Sequence, residues 1–199
     1  TIYSTTQNGV TDYYLYRFDT SDTVDIILDV NDSNWGYVTT AKYRDTSSWY
    51  HFVLIIDTTQ STDTNRVKLY VNGTLQTLST KYAGGHVDQN FETYVMDGTE
   101  DAIGEFNYNN TAYFDGYMSD FITTVGQDNA IGDFGETKNG VWIPKKYTGS
   151  YGANGFRLEF KQTGTGTAGD STVGADTANN NDWTSSGHPK GNLLDNPEN

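Results

Sequence analysis

One stretch constrains the fold more than any other: residues 49–78, WYHFVLIIDTTQSTDTNRVKLYVNGTLQTL. Arg66 to Val71 alternates strictly, with Val67, Leu69 and Val71 pointing one way and Arg66, Lys68 and Tyr70 the other. That period of two belongs to a strand with one buried face. Asn72-Gly73 follows, the pair that best tolerates the two positive φ angles of a tight hairpin turn. Thr74 to Leu78 therefore returns antiparallel. Upstream, Trp49 to Asp57 is rich in aromatic and β-branched residues, which suit a pleated surface. Thr58 to Asn65 is polar and reads as the connecting loop. The Trp49–Asp57 strand is apolar on both faces, with Phe52, Leu54 and Ile56 on one and Val53 and Ile55 on the other. A two-layer sandwich buries only one face of a strand, so a loop, the C-terminal segment or a neighbouring subunit must cover the second.

The rest of the chain continues the pattern. Strands are predicted over Tyr13 to Phe18, Val24 to Val30, Trp35 to Tyr43, Ala102 to Tyr108, Tyr113 to Val125 and Gly155 to Phe160. A short extended piece, Gly140 to Tyr147, is stopped by Pro144. In Val24 to Val30 the even-numbered apolar residues alternate with Asp25, Ile27 and Asp29, which predicts one buried and one mostly wet face. Trp49 reads as a core residue, and Trp142 as the anchor of the C-terminal run. Lys81 to Asp101 is a long connection, with Phe91, Tyr94 and Val95 as a possible short strand inside it. Gly164 to Asp182 is rich in Gly, Thr, Asn and Asp and reads as a linker or disordered arm when taken alone. Gly187 to Asn199 reads as an extended tail. No segment carries a sustained helical period. The expectation is an all-β, antiparallel β-sandwich over residues 1–160, followed by an extended arm over residues 161–199.

Composition removes several function classes. The chain has 199 residues, no Cys and a formal net charge of −14. Without Cys there is neither a disulfide nor a thiolate metal site, which fits assembly in a bacterial cytoplasm. A strongly acidic surface repels phosphate backbones and anionic lipid, so nucleic acid and membrane surfaces are poor partners. The longest apolar run, Phe52 to Ile56, is too short to span a bilayer. No signal peptide is visible and the chain starts without Met, so it reads as a processed product or a fragment. The acidity itself serves either solubility or the gathering of carboxylates for Ca²⁺.

Three pieces carry a family resemblance. The Trp49-Tyr50-His51 opening, the apolar strand ending in Asp57 and Val67-Lys68-Leu69-Tyr70-Val71-Asn72-Gly73 resemble the central signature of concanavalin A-like jelly rolls, the laminin G-like and pentraxin-like domains. Ala102-Ile103-Gly104 and Tyr113 to Phe121 resemble the ending of that signature. Phe134-Gly135-Glu136, Gly140 to Tyr147 and Tyr151 to Phe156 resemble jelly-roll domains in structural proteins of tailed phages of marine bacteria. Gly174-Ala175-Asp176 and Asn179 to Trp183 resemble the opening of such domains. The resemblance implies a jelly-roll fold and a place in a virion.

The candidate chemistry is thin. The fold family includes glycoside hydrolases of the laminarinase type, which need two carboxylates about 5 Å apart, usually as Glu-x-Asp-x-x-Glu. The six Glu, at 92, 100, 105, 136, 159 and 198, do not stand in that spacing. His51, His86 and His188 lack metal-ligand spacing. No nucleophile elbow or phosphate-binding Gly loop is present. The cluster Asp97, Glu100 and Asp101 offers hard oxygen ligands for Ca²⁺, which many members of the resembled family bind through rim loops. Trp35, Tyr108, Asn109, Asn110 and Tyr113 are the candidates for a glycan platform, aromatic faces with amide partners. Trp183 is the main bulky apolar group of the arm, so it should anchor that segment on the sandwich or on an adjacent subunit.

Together these features point to a non-enzymatic structural domain on a virion surface, in a tail fibre or a capsid decoration. Its partners would be other virion proteins or copies of itself, and host-surface polysaccharide. A stand-alone carbohydrate-binding adhesin is the alternative, and a polysaccharide-degrading enzyme the third reading.

Overall fold

In a computed structural model, residues 1–6, 12–30, 33–93, 95, 100–164, 169 and 172–185 are described. The chain divides into two compact units, residues 1–115 and 116–199. All strand pairing between named strands is antiparallel, and no α-helix occurs among the described residues.

The described residues of the first unit form nine strands: β1 (Tyr3–Thr6), β2 (Tyr13–Phe18), β3 (Val24–Val30), β4 (Ser33–Thr39), β5 (Phe52–Ile56), β6 (Val67–Val71), β7 (Thr74–Leu75), β8 (Leu78–Thr80) and β9 (Glu100–Ile103). They form a six-stranded sheet of order β8-β4-β3-β2-β1-β9 and a three-stranded sheet of order β5-β6-β7. The apolar alternation of β3 and β6 explains why these two sheets share one core. Val24, Ile26, Leu28 and Val30 from one sheet and Val67, Leu69 and Val71 from the other lie in a single buried cluster. Phe52, Leu54 and Ile56 of β5 pack against it. The packing is that of a β-sandwich.

The turn expected at Asn72-Gly73 is present, with φ of 47° and 75°. Asn72 also ties the turn to the residue just before β5. Its N–H donates to the His51 carbonyl and its side-chain oxygen accepts the His51 N–H, both at 2.8 Å.

Several expectations are corrected. Trp49 is 43% exposed and lies outside the strand, because Tyr43, Tyr50 and Phe52 fill the neighbouring aromatic cluster. The strand expected through Ala102 to Tyr108 ends at Ile103, where Gly104 turns the chain at φ 89°. Phe91 and Val95 form no strand; they pack against the core, with Phe91 edge-on to Trp35.

The second face of β3 is wet only at its Asp29 end. Asp25 is fully buried and Ile27 nearly so. Arg17 of β2 and Lys81, just beyond β8, both place cations on the Asp25 Oδ2 atom, at 3.4 and 2.6 Å. Tyr82 lies over Gly36 of β4, so closely that a Cβ there would sit 2.5 Å from its ring. A buried carboxylate is tolerable only when paired, and two cations supply the pairing.

The second unit contains β10 (Phe121–Thr123), β11 (Gly135–Lys138), β12 (Val141–Pro144) and β13 (Phe156–Leu158). The expected strand Tyr113 to Val125 is thus reduced to three residues, and Asp120 just before them has φ 56°. β10 pairs with β13, and β11 pairs with β12 through an Asn139-Gly140 turn. The Trp142 indole lies against Gly135 across that hairpin, and Phe134 stacks on Tyr147 at 5.0 Å.

The described part of the arm folds onto β13. Asp176 bridges Leu158, and Val173, Ala175 and Asp176 are buried. The Asp176 carboxylate accepts four backbone N–H groups, from Arg157, Ala178, Asn179 and Asn181, at 2.8–2.9 Å. The side-chain amides of Asn179 and Asn181 in turn donate to carbonyls of residues 152–155. Hydrogen bonding to one carboxylate does what a sequence poor in large apolar residues could not do by burial alone. Leu193, Leu194 and His188 lie outside the described residues.

Candidate saccharide-binding surface

Directly paired residues of an antiparallel sheet share a face. The register therefore defines one row across the outer face of the six-stranded sheet: Asn34, Asp29, Tyr13, Thr6 and Glu100, from β4, β3, β2, β1 and β9. The Asn34 amide donates to Asp29 at 3.2 Å. Tyr13 is half-buried, and its hydroxyl bonds to the Asp29 carboxylate. Burial first, then the Asp29 charge, pushes the phenol up to about 12.

Over Tyr13 lies a short hairpin spanning residues 104–114. Backbone bonds between Phe106 and Thr111 close it, at 2.9 and 3.2 Å, and the Phe114 N–H donates to the Gly104 carbonyl at 2.6 Å. Asn110 and Ala112 adopt positive φ, which tightens the turn. Asn107 fastens the hairpin to the sheet: its amide oxygen accepts from Ser4 at 2.8 Å and its NH₂ donates to the Glu100 carbonyl. Phe106 and Tyr108 stack at 5.7 Å, and both rings contact Tyr13, at 5.1 and 5.7 Å.

The outcome is a cluster of three mutually touching rings, with Phe106 and Tyr108 stacked and Tyr13 edge-on to Phe106, whose most exposed member is Tyr108. Tyr108 is 47% exposed and Tyr113 66%. Asn109 and Asn110 between them are exposed, and the Asn109 side-chain oxygen accepts the Thr111 hydroxyl. Four of the five residues expected in a glycan platform thus share one hairpin. The fifth, Trp35, does not belong. It is 4% exposed and packs on Phe91 at 4.7 Å on the core face. The alternation of β4 decides this, since Asn34, its neighbour, is the residue that faces outward.

No protein-family model, curated protein or solved structure matches this chain.

The Ca²⁺ expectation fails on geometry where it can be placed. Glu100 and Asp101 are successive residues of β9, so their side chains leave the sheet on opposite faces. Asp101 turns inward and accepts the Tyr3 hydroxyl at 2.5 Å. Burial raises both the Asp101 carboxyl and the Tyr3 phenol. Asp97 lies outside the described residues. Among the described residues, no three His, Asp or Glu side chains gather as metal ligands would.

Trp183, expected to anchor the arm, lies within the second unit. The indole lies 4.9 Å from the Phe156 ring, and its backbone N–H donates to the Gly174 carbonyl.

Residues of the row and its hairpin that composition and motifs did not single out include Tyr13, Asp29, Asn34 and Phe106. The signal for three of them is the strand alternation itself, which already sets Tyr13 and Asp29 on the face opposite the core. Finding Phe106 required the hairpin.

Proposed function

We propose that this chain is a non-enzymatic, saccharide-contacting domain of a virion structural protein, a tail-fibre or capsid-surface component built as a concanavalin A-like jelly roll. The observation that carries the binding half is the Tyr13, Phe106 and Tyr108 ring cluster, with Tyr108 stacked on Phe106 and exposed, and with Asn109, Asn110 and Tyr113 beside it. A pre-stacked tyrosine offers a rigid face to the C–H side of a sugar ring, and amides offer donors and acceptors to its hydroxyls. The virion half rests on the resemblance of Phe134 to Phe156 to phage jelly rolls. Its partners would be copies of itself or other virion proteins.

A non-enzymatic role is supported by the commitments of five buried or half-buried carboxylates. Asp25 is held by Arg17 and Lys81, and Asp101 by Tyr3. Asp120 and Glu159 are held by Arg157, and Asp176 by backbone N–H groups. A carboxylate fixed in a structural pair is poorly placed to give or take a substrate proton.

The test is a glycan array probed with the wild-type protein and with Tyr108→Ala. Tyr108→Ala is expected to weaken retention about ten-fold, the equivalent of about 1.4 kcal/mol. If the wild-type protein binds no glycan, the binding half is wrong. Release of reducing sugar from any polysaccharide on the array would instead favour an enzyme.

A further inference from the structure

We infer that the Tyr108 surface selects uncharged saccharides and rejects acidic ones; this rests on the reading of the hairpin as a saccharide platform. The charges around it are one-sided. The row Asn34–Asp29–Tyr13–Thr6–Glu100 contains two carboxylates and no cation. The hairpin itself carries Glu105 and no Lys, Arg or His. Between Lys81 and Lys138 the sequence has eleven Asp or Glu and not one Lys or Arg.

The two cations nearest along this face are not available to a ligand. Arg17 and Lys81 both lie on the fully buried Asp25, and neither could turn to an anionic sugar without leaving that carboxylate bare. Stripping a partner from a buried charge is strongly unfavourable. A uronate or sulfated polymer laid on Tyr108 therefore meets carboxylates and finds no side-chain counter-charge, and the Thr1 amine beside the hairpin already donates to the Ala112 carbonyl. A neutral sugar meets what it needs: aromatic faces at Tyr108 and Tyr113, amides at Asn109 and Asn110, and an acceptor at Asp29.

The experiment is affinity electrophoresis of the full chain through gels containing neutral polymers (laminarin, mannan, agarose) or acidic ones (alginate, carrageenan, hyaluronan). Each is run at about 20 mM and about 500 mM NaCl, a change that shortens the screening length several-fold, with wild type and Tyr108→Ala. The expected result is retention by at least one neutral polymer, insensitive to salt and reduced about ten-fold in Tyr108→Ala. No acidic polymer should retain the protein at low salt. If an acidic polymer binds as tightly as any neutral one, and Tyr108→Ala abolishes that binding, the selectivity is wrong while the platform stands. If nothing is retained under any condition, the platform reading fails and the selectivity falls with it.

Discussion

Leu69 is wholly enclosed between the two sheets of the first unit. Leu69→Ala is expected to cost about 2–5 kcal/mol, the range for a buried leucine whose cavity cannot fully collapse. Urea denaturation reads it as a lower midpoint at unchanged slope; a cost below about 0.5 kcal/mol would mean the sheets do not close on this residue. Asp101 gives a pH-dependent counterpart. Burial raises its carboxyl, and hydrogen bonds from Tyr3 and Thr5 offset part of that rise. A group that binds its proton more tightly when folded contributes stability that is fully present below the unfolded value, near 3.9. That contribution is lost as pH rises through the folded value. Asn at this position keeps an acceptor for the Tyr3 hydroxyl and carries no charge. Asp101→Asn should therefore gain on the wild type as pH rises from about 4 to about 7. Denaturation midpoints at several pH values would show it, and a constant gap would mean that burial does not penalise this charge.

Among the elements, the described arm depends on one side chain. Removing the Asp176 carboxylate leaves four backbone N–H groups to find other partners. Asp176→Ala is expected to speed amide hydrogen exchange about ten-fold or more over residues 152–158 and 172–183. Unchanged protection there would show that Trp183 on Phe156 holds the segment without it. This is also where the sequence was least legible. β6 and its Asn72-Gly73 turn could be read directly, because period and turn chemistry are local. That Tyr108, Asn109, Asn110 and Tyr113 sit together on one hairpin was legible for the same reason, since they are nearly contiguous. The buried second face of β3 was not, because Lys81, which covers Asp25, lies 56 residues away. The arm misled because its order comes from polar bonds to a buried carboxylate, and a composition poor in large apolar residues gives no sign of that. Trp35 was misplaced by a single position, which in a strand is the whole distance between core and solvent.

At the scale of the whole molecule, charge is the dominant property. A formal net charge of −14 makes the folded chain repel itself. Raising NaCl from about 10 mM to about 150 mM shortens the screening length from about 30 Å to about 8 Å. Calorimetry should then find Tm higher by about 2–4 °C, the shift that roughly 1 kcal/mol produces in a protein of this size. A fall in Tm would mean that the attractive clusters at Asp25 and Arg157 outweigh the general repulsion. Of the structural features, the order of strands in the six-stranded sheet has a consequence for how the protein is made. β1 to β4 are neighbours in space as they are in sequence, so they zip into a meander as soon as residue 39 has emerged. That meander shows one greasy side until β5 to β7 arrive to cover it, and the last of those strands ends at Leu75. At about 5–20 residues per second, translation leaves that side bare for a few seconds only. A chain that lists four of its sheet's six strands and then their lid keeps its stickiest intermediate short-lived on the ribosome.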